Sequence, residues 1–306
     1  MIWVKGRGSQ HLRERLEGCP MTVATTKNWI SAVFFIFLSC LFLTSRSAAA
    51  DPVLDIVIGG QTRQFGRDEL LHRPDVVNVA VANDVGYGKA MNYRAVPLAA
   101  LLAEFNPPPN TVIESVALDG FVAQLPLDLL TNTNPAKAVA WLAIEPDGQA
   151  WPMLPGKAQS AGPFYIVWTG ASVGLIRSEQ WPYQLKRLES QPSPVERWPA
   201  LHVDPALPAT DPIRAGLALY VTQCLPCHTL NGAGASNAGP DLNQPMNPTQ
   251  YMTRDGLHAL VRDPKSVRSW RTMQMPGFAA DKMSGQEIDL IIGYLTHMAT
   301  RRSESR

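Results

Sequence analysis

Cys224-Leu225-Pro226-Cys227-His228 is the pentapeptide around which the 306-residue chain can be organised. It has the C-x-x-C-H spacing of a covalent c-type haem attachment. Two thiols one turn apart can add to both vinyl groups of a single haem. The next residue then sets an imidazole on the iron from the same side. A lone C-x-x-C would also suit a thioredoxin-like pair or half a zinc site. Residues 51–306 contain no second cysteine pair to complete zinc ligation.

The flanks fit the same reading. Pro212 to Val221 has the pattern of a helix, with Asp211 as N-cap and Pro212 at the first helical position. Leu257 to Val261 reads as a short helix, and Pro264 after Asp263 can start another. Ser284-Gly285-Gln286-Glu287 is a capping box ahead of Ile288, Ile291, Ile292 and Leu295. Between these lies Met275-Pro276-Gly277-Phe278. A thioether opposite His228 gives His/Met ligation, which fills both axial positions and raises the reduction potential. Met273 is the competing thioether, and Pro276, by fixing the backbone beside it, favours Met275. The metal ligands expected are therefore His228 and Met275.

Residues 211–306 read as one C-terminal domain, and nearly all of residues 211–300 resembles the class I cytochrome c family. The resemblance rests on a helix leading into CLPCH, then Gly239-Pro240-Asp241-Leu242, then MPGF, then a final helix. It implies a small all-α domain with one haem c. It also implies that the Pro240 carbonyl accepts a hydrogen bond from His228, a contact that sets ring orientation and ligand basicity. Gly234 and Gly239 are expected to let the loop wrap close to the haem. Arg262, Lys265, Arg268 and Arg271 recur every third residue. They read as a solvated face, as a basic rim that steers an acidic partner, or as propionate partners. Trp270 reads as a haem or propionate contact or as core. His258 and His297 read as surface or structural residues, with a bis-His haem through either one as the competing reading.

Six prolines between Ser190 and Pro212 exclude a long helix or a central strand there. Residues 190–210 are expected to be a semi-extended linker. Ahead of it, residues 51–189 read as β-rich with little helix. Val53 to Ile58 and Val76 to Ala82 read as strands, and Pro97 to Phe105 as a helix. Val112 to Leu118 with Phe121 to Leu125 forms one hairpin about Asp119-Gly120. Ala138 to Ile144 with Ala150 to Leu154 forms a second, and Phe164 to Trp168 is a buried strand. No internal repeat is evident.

Tyr93-Arg94-Ala95-Val96-Pro97-Leu98, Ala117-Leu118-Asp119-Gly120-Phe121 and Gly162-Pro163-Phe164-Tyr165-Ile166-Val167 resemble the molybdopterin-binding domain of the sulfite oxidase type. The resemblance implies an α+β, β-rich fold. Catalytic members hold molybdenum through a cysteine, and residues 51–223 contain none. A soft thiolate ligand is absent, so molybdopterin is not expected, and His72 and His202 are too isolated to replace it. Trp141, Trp151, Trp168 and Trp181 read as core or as the lining of a pocket.

Trp29 to Leu43 is an apolar run of 15 residues, preceded by Lys27 and followed by Ala48-Ala49-Ala50. That is a secretory signal pattern over residues 1–50, shorter than a membrane span. Either Met1 or Met21 fits as the start. An uncleaved anchor and, through Cys40, a lipoprotein are the competing readings. Six of the 27 basic and two of the 26 acidic residues lie in this segment, so the remainder is net −3. The whole-chain formal charge of +1 gives no sign of a nucleic-acid binder, which would show a clear basic excess. An exported chain with cysteine only at 224 and 227 has no disulfide framework elsewhere.

The expectation is an exported, periplasmic single-haem electron carrier rather than a catalyst. It carries haem c on Cys224 and Cys227, and its donor and acceptor are redox proteins such as a periplasmic dehydrogenase or oxidase. Membrane contact follows only if the signal stays uncleaved. The alternative is a haem subunit of a periplasmic oxidoreductase whose N-terminal domain binds a pterin-type cofactor or a small substrate.

Overall fold

Strand and helix follow the hydrophobic periodicity closely. Leu54, Ile56 and Ile58 alternate inward along β1 (Val53–Ile58), which turns at Gly59-Gly60 into β2 (Gln61–Gly66). The computed structural model, which describes residues 51–269, 273 and 275–302, continues through α1 (Arg67–Leu71), β3 (Val77–Asp84), β4 (Lys89–Pro97) and α2 (Leu98–Ala103). β5 (Val112–Ala117), β6 (Val122–Pro126), α3 (Leu127–Leu130), β7 (Val139–Ile144), β8 (Phe164–Thr169) and β9 (Leu185–Gln191) complete the N-terminal part. The signal segment, Trp270 and Arg271 lie outside the described residues.

The strands form two sheets, ordered β2-β1-β9-β5-β6 and β3-β4-β7-β8. All neighbours are antiparallel except β1 and β9, which run parallel with Ile56 opposite Leu188. The inner faces of both sheets share one core. β8 is buried on both faces, which explains its unbroken apolar run. This part is β-rich, as expected, and its strands form two sheets.

The second expected hairpin does not form. β7 pairs with β4 and β8 instead, and residues 150–154 lie outside any strand. Pro152 and Pro155 supply no amide for a ladder, and the Trp151 amide donates to the Glu145 carboxylate at 2.7 Å. Trp168 and Trp181 are core, Trp151 is almost buried, and the Trp141 indole donates to Thr169 Oγ1 at 2.8 Å. Trp151 borders a surface groove, with Tyr93 and Arg94.

The C-terminal part is helical. It comprises α4 (Pro194–Arg197), α5 (Pro212–Gln223), α6 (Arg254–Arg262), α7 (Pro264–Val267) and α8 (Gly285–Ala299). Asp211 accepts from the Ile213 amide at the start of α5, and Ser284 and Glu287 make the capping box of α8. α5 and α8 cross at Gly216, where a β-carbon would lie 2.2 Å from the Leu290 carbonyl. The Tyr220 and Tyr294 rings pack 5.3 Å apart beside that crossing.

The Pro-rich segment is folded rather than a semi-extended linker. Leu201 and Val203 are buried in the C-terminal core, and Tyr294 Oη donates to the Leu201 carbonyl at 2.8 Å. Arg197 pairs with Glu114 of β5. Proline forbids a long helix but permits the short turns that begin at Pro194 and Pro199. Residues 51–306 consequently form one unit.

Candidate haem site

α5 delivers the attachment pentapeptide. The helix ends at Gln223, and the amides of Cys227 and His228 bond back to the Cys224 carbonyl at 3.1 and 2.8 Å. Both cysteines therefore lie on one tight turn, as free thiols. Burial, reinforced by the charge of Glu179, pushes the Cys227 thiol up to about 11 and the Cys224 thiol further. Thiols held protonated in this way resist stray oxidation.

His228 Nδ1 donates to the Pro240 carbonyl at 2.8 Å. A carbonyl can only accept, so the proton sits on Nδ1 and Nε2 keeps its lone pair. Burial also lowers the His228 pKa, favouring the neutral ring. Gly239 lies against the ring, and a β-carbon there would stand 2.5 Å from Cε1. The donor set of two thiols and one oriented imidazole thus fits covalent haem attachment.

The loop that brings Pro240 is held by groups with no obvious sequence signal. Asp241 accepts the amides of Asn231, Gly232, Asn243 and Gln244 at 2.7 to 3.1 Å. Asn243 and Asn247 are fully buried and tie this loop to α8 through the carbonyls of Met298 and Leu295. Asn247 also donates to Asn243, and Asn243 to Asn231, at 2.8 Å each. Such satisfied buried amides fix a unique geometry.

Met275 and Met273 are both half-buried. The return from Met275 is pinned at Phe278, whose amide donates to the Val261 carbonyl at 3.1 Å. Arg262 is not part of a free basic rim. Its guanidinium is spent on the carbonyls of Phe278 and Met283 at 2.5 and 2.7 Å, locking the loop to α6. Lys265 and Arg268 are exposed. His258 contacts Asp289 at 3.1 Å, and His297 Nε2 accepts the Asp204 amide at 3.1 Å. His72 and His202 bond to nearby carbonyls. Among the described residues no cluster of three or more His, Cys, Asp or Glu could hold a metal ion, and no helix is long and apolar enough to cross a membrane.

The β-rich part touches the site directly. The Val122 amide donates to the Pro226 carbonyl at 3.0 Å, and Ser236 Oγ donates to the Gly120 carbonyl at 2.9 Å. Arg177 reaches the Lys282 carbonyl and pairs with Glu287. Glu179, on the 3-10 turn Ser178–Gln180, is buried where that turn packs against β6 and α5. Sequence reasoning missed these contacts, because each joins segments distant in the chain.

Residues 213–299 match the family model described as Cytochrome c. The C-terminal part is accordingly a cytochrome c domain, a family that binds haem c covalently and transfers electrons through it. A comparison of the whole chain with curated proteins found no match.

Proposed function

We propose that the chain is an exported single-haem electron carrier. Cys224 and Cys227 would hold the haem, and His228 and Met275 would ligate its iron. The observation that carries this reading is the His228–Pro240 hydrogen bond beside Gly239, which leaves the Nε2 lone pair free for a metal. Bound haem supplies a one-electron ferric/ferrous couple. The chain's own residues do the rest. His228 is kept neutral and oriented, the Asp241 and asparagine contacts hold the loop, and Arg262 fixes the return from Met275. A haem held by both His228 and Met275 would have no position left for substrate at the iron.

The sequence of residues 27–51 supports export to the periplasm. The β-rich part, similar in motifs to the sulfite oxidase-type molybdopterin domain but without cysteine, serves recognition of a redox protein. Its donor or acceptor is a periplasmic dehydrogenase or oxidase, and nucleic acid is not a partner.

The test is substitution of each methionine separately. Met275→Ala is expected to lower the reduction potential sharply and change the low-spin spectrum, whereas Met273→Ala leaves both intact. The opposite pattern would transfer the ligand role to Met273.

A further inference from the structure

We propose that Glu179 is a redox-linked protonation site, through which the β-rich part couples proton uptake to reduction of the cytochrome domain. The inference rests on the haem reading above and assigns a role to a residue outside the cytochrome domain.

Glu179 is 8% exposed, on the turn that packs against both β6 and α5. Its charge bears on both attachment residues, Cys224 and Cys227. The turn that carries it packs against α5, the helix whose C-cap is Cys224. Its one hydrogen-bond donor from a side chain is Ser178 Oγ, at 2.6 Å. Arg177, the nearest cation in sequence, pairs with Glu287 and donates to the Lys282 carbonyl, and its charge opposes the effect of burial on Glu179 only weakly. Among the described residues the carboxylate has no ion-pair partner, and burial pushes its pKa up to about 7.

The other groups around it do not replace it. On α5 Arg214 is spent on the Leu207 and Pro208 carbonyls, burial holds the Tyr220 hydroxyl protonated, and Cys224 and Cys227 beyond it cease to titrate once they are thioethers. β6 contributes Gln124, which is uncharged, and the β5–β6 turn contributes Asp119. Lys157 bears on Cys227 from the loop after β7 and contacts Tyr183. Gln223 of α5 is buried, and its Nε2 has no partner.

The balance is simple. On reduction, one electron enters the domain from a one-electron donor protein, and one proton from solvent adds to the Glu179 carboxylate. On oxidation both leave. A negative carboxylate near the site favours the oxidised, more positive state, so ionisation of Glu179 lowers the potential. In a site of intermediate dielectric this coupling amounts to about a tenfold difference in proton affinity between the two states. For one electron that is about 59 mV.

The experiment is spectroelectrochemical titration of the purified full-length holoprotein from pH 5 to 9, with Glu179→Gln and Ser178→Ala beside it. Wild type is expected to lose potential through a step near neutral pH. Glu179→Gln should stay on the acid plateau throughout. Ser178→Ala should keep the step but move it to higher pH, because the carboxylate loses its donor. If Glu179→Gln fails to assemble, the shift in Ser178→Ala decides the question. A step of equal size and position in all three chains, or no step in wild type, would overturn the proposal. A wild-type chain without covalent haem would instead defeat the haem reading, and haem staining of the denatured chain tells the two failures apart.

Discussion

The Val122 amide hydrogen-bonds the Pro226 carbonyl at 3.0 Å, so the β-rich part is joined to the same pentapeptide that carries Cys224, Cys227 and His228. A contact at that position makes the packing of two sheets part of the environment of the attachment site. It also predicts cooperativity. Unfolding followed by haem absorbance and by far-ultraviolet circular dichroism should give one midpoint. Midpoints separated by more than about 5 °C, a gap equivalent to roughly 1 kcal/mol or more in a chain of this size, would show the two parts to be independent.

Arg197 and Glu114 fasten the Pro-rich segment to β5. Glu114 has 7% of its side chain exposed, and Gln124 donates to it at 3.2 Å. Arg197→Ala leaves that carboxylate buried without its cation. The expected loss is about 3 kcal/mol, read by urea denaturation. A loss under roughly 0.5 kcal/mol, the range of ordinary surface changes, would mean that the segment is a tether after all.

Gly239 is the most sensitive small residue at the site. Gly239→Ala drives a β-carbon into the His228 ring, whereas Gly174→Ala meets nothing within 4 Å. The first should lower haem loading and disturb the low-spin spectrum, and the second should leave both unchanged. Equal spectra for the two variants would show that the ring can move aside freely.

The helices around the attachment site were legible because their signals are local. Asp211-Pro212 and Ser284 to Glu287 act on amides within three residues, and both work as the sequence implies. The β5–β6 hairpin was legible for the same reason. Residues 150–154 were misread because alternating apolar residues suggest a strand whether or not a partner exists. Prolines at 152 and 155 and the Glu145 carboxylate decided otherwise. The parallel pairing of β1 with β9, the asparagine contacts to α8 and the burial of Glu179 had no local signal. Each depends on which distant segments meet, and apolar pattern alone does not encode that.

Glu179 also predicts how stability changes with pH. Its folded pKa of about 7 lies above the ordinary 4.5. Its favourable contribution is therefore full below pH 4.5 and is lost as pH rises through 7. The span corresponds to about 3 kcal/mol. Measured by denaturant titration from pH 5 to 8, Glu179→Gln should gain stability relative to wild type as pH rises. A constant difference would place Glu179 in water.

Asp84 takes the same sign in the β-rich core. It accepts from Tyr93, Tyr165 and the Tyr87 amide at 2.8 to 3.2 Å, yet burial still raises its pKa. Asp84→Ala strands two buried hydroxyls and an amide, and a loss of about 3 kcal/mol or more is expected by thermal denaturation. A variant as stable as wild type would show that these donors find other partners.

The central claim is tested most directly by mass spectrometry of the denatured chain, together with iron and molybdenum content. The protein should come from a host that assembles c-type haem, with Cys224→Ala/Cys227→Ala alongside. One covalent haem, one iron and no molybdenum are expected in the parent, and no covalent haem in the double variant. A parent chain with unmodified cysteines and no iron would contradict the account.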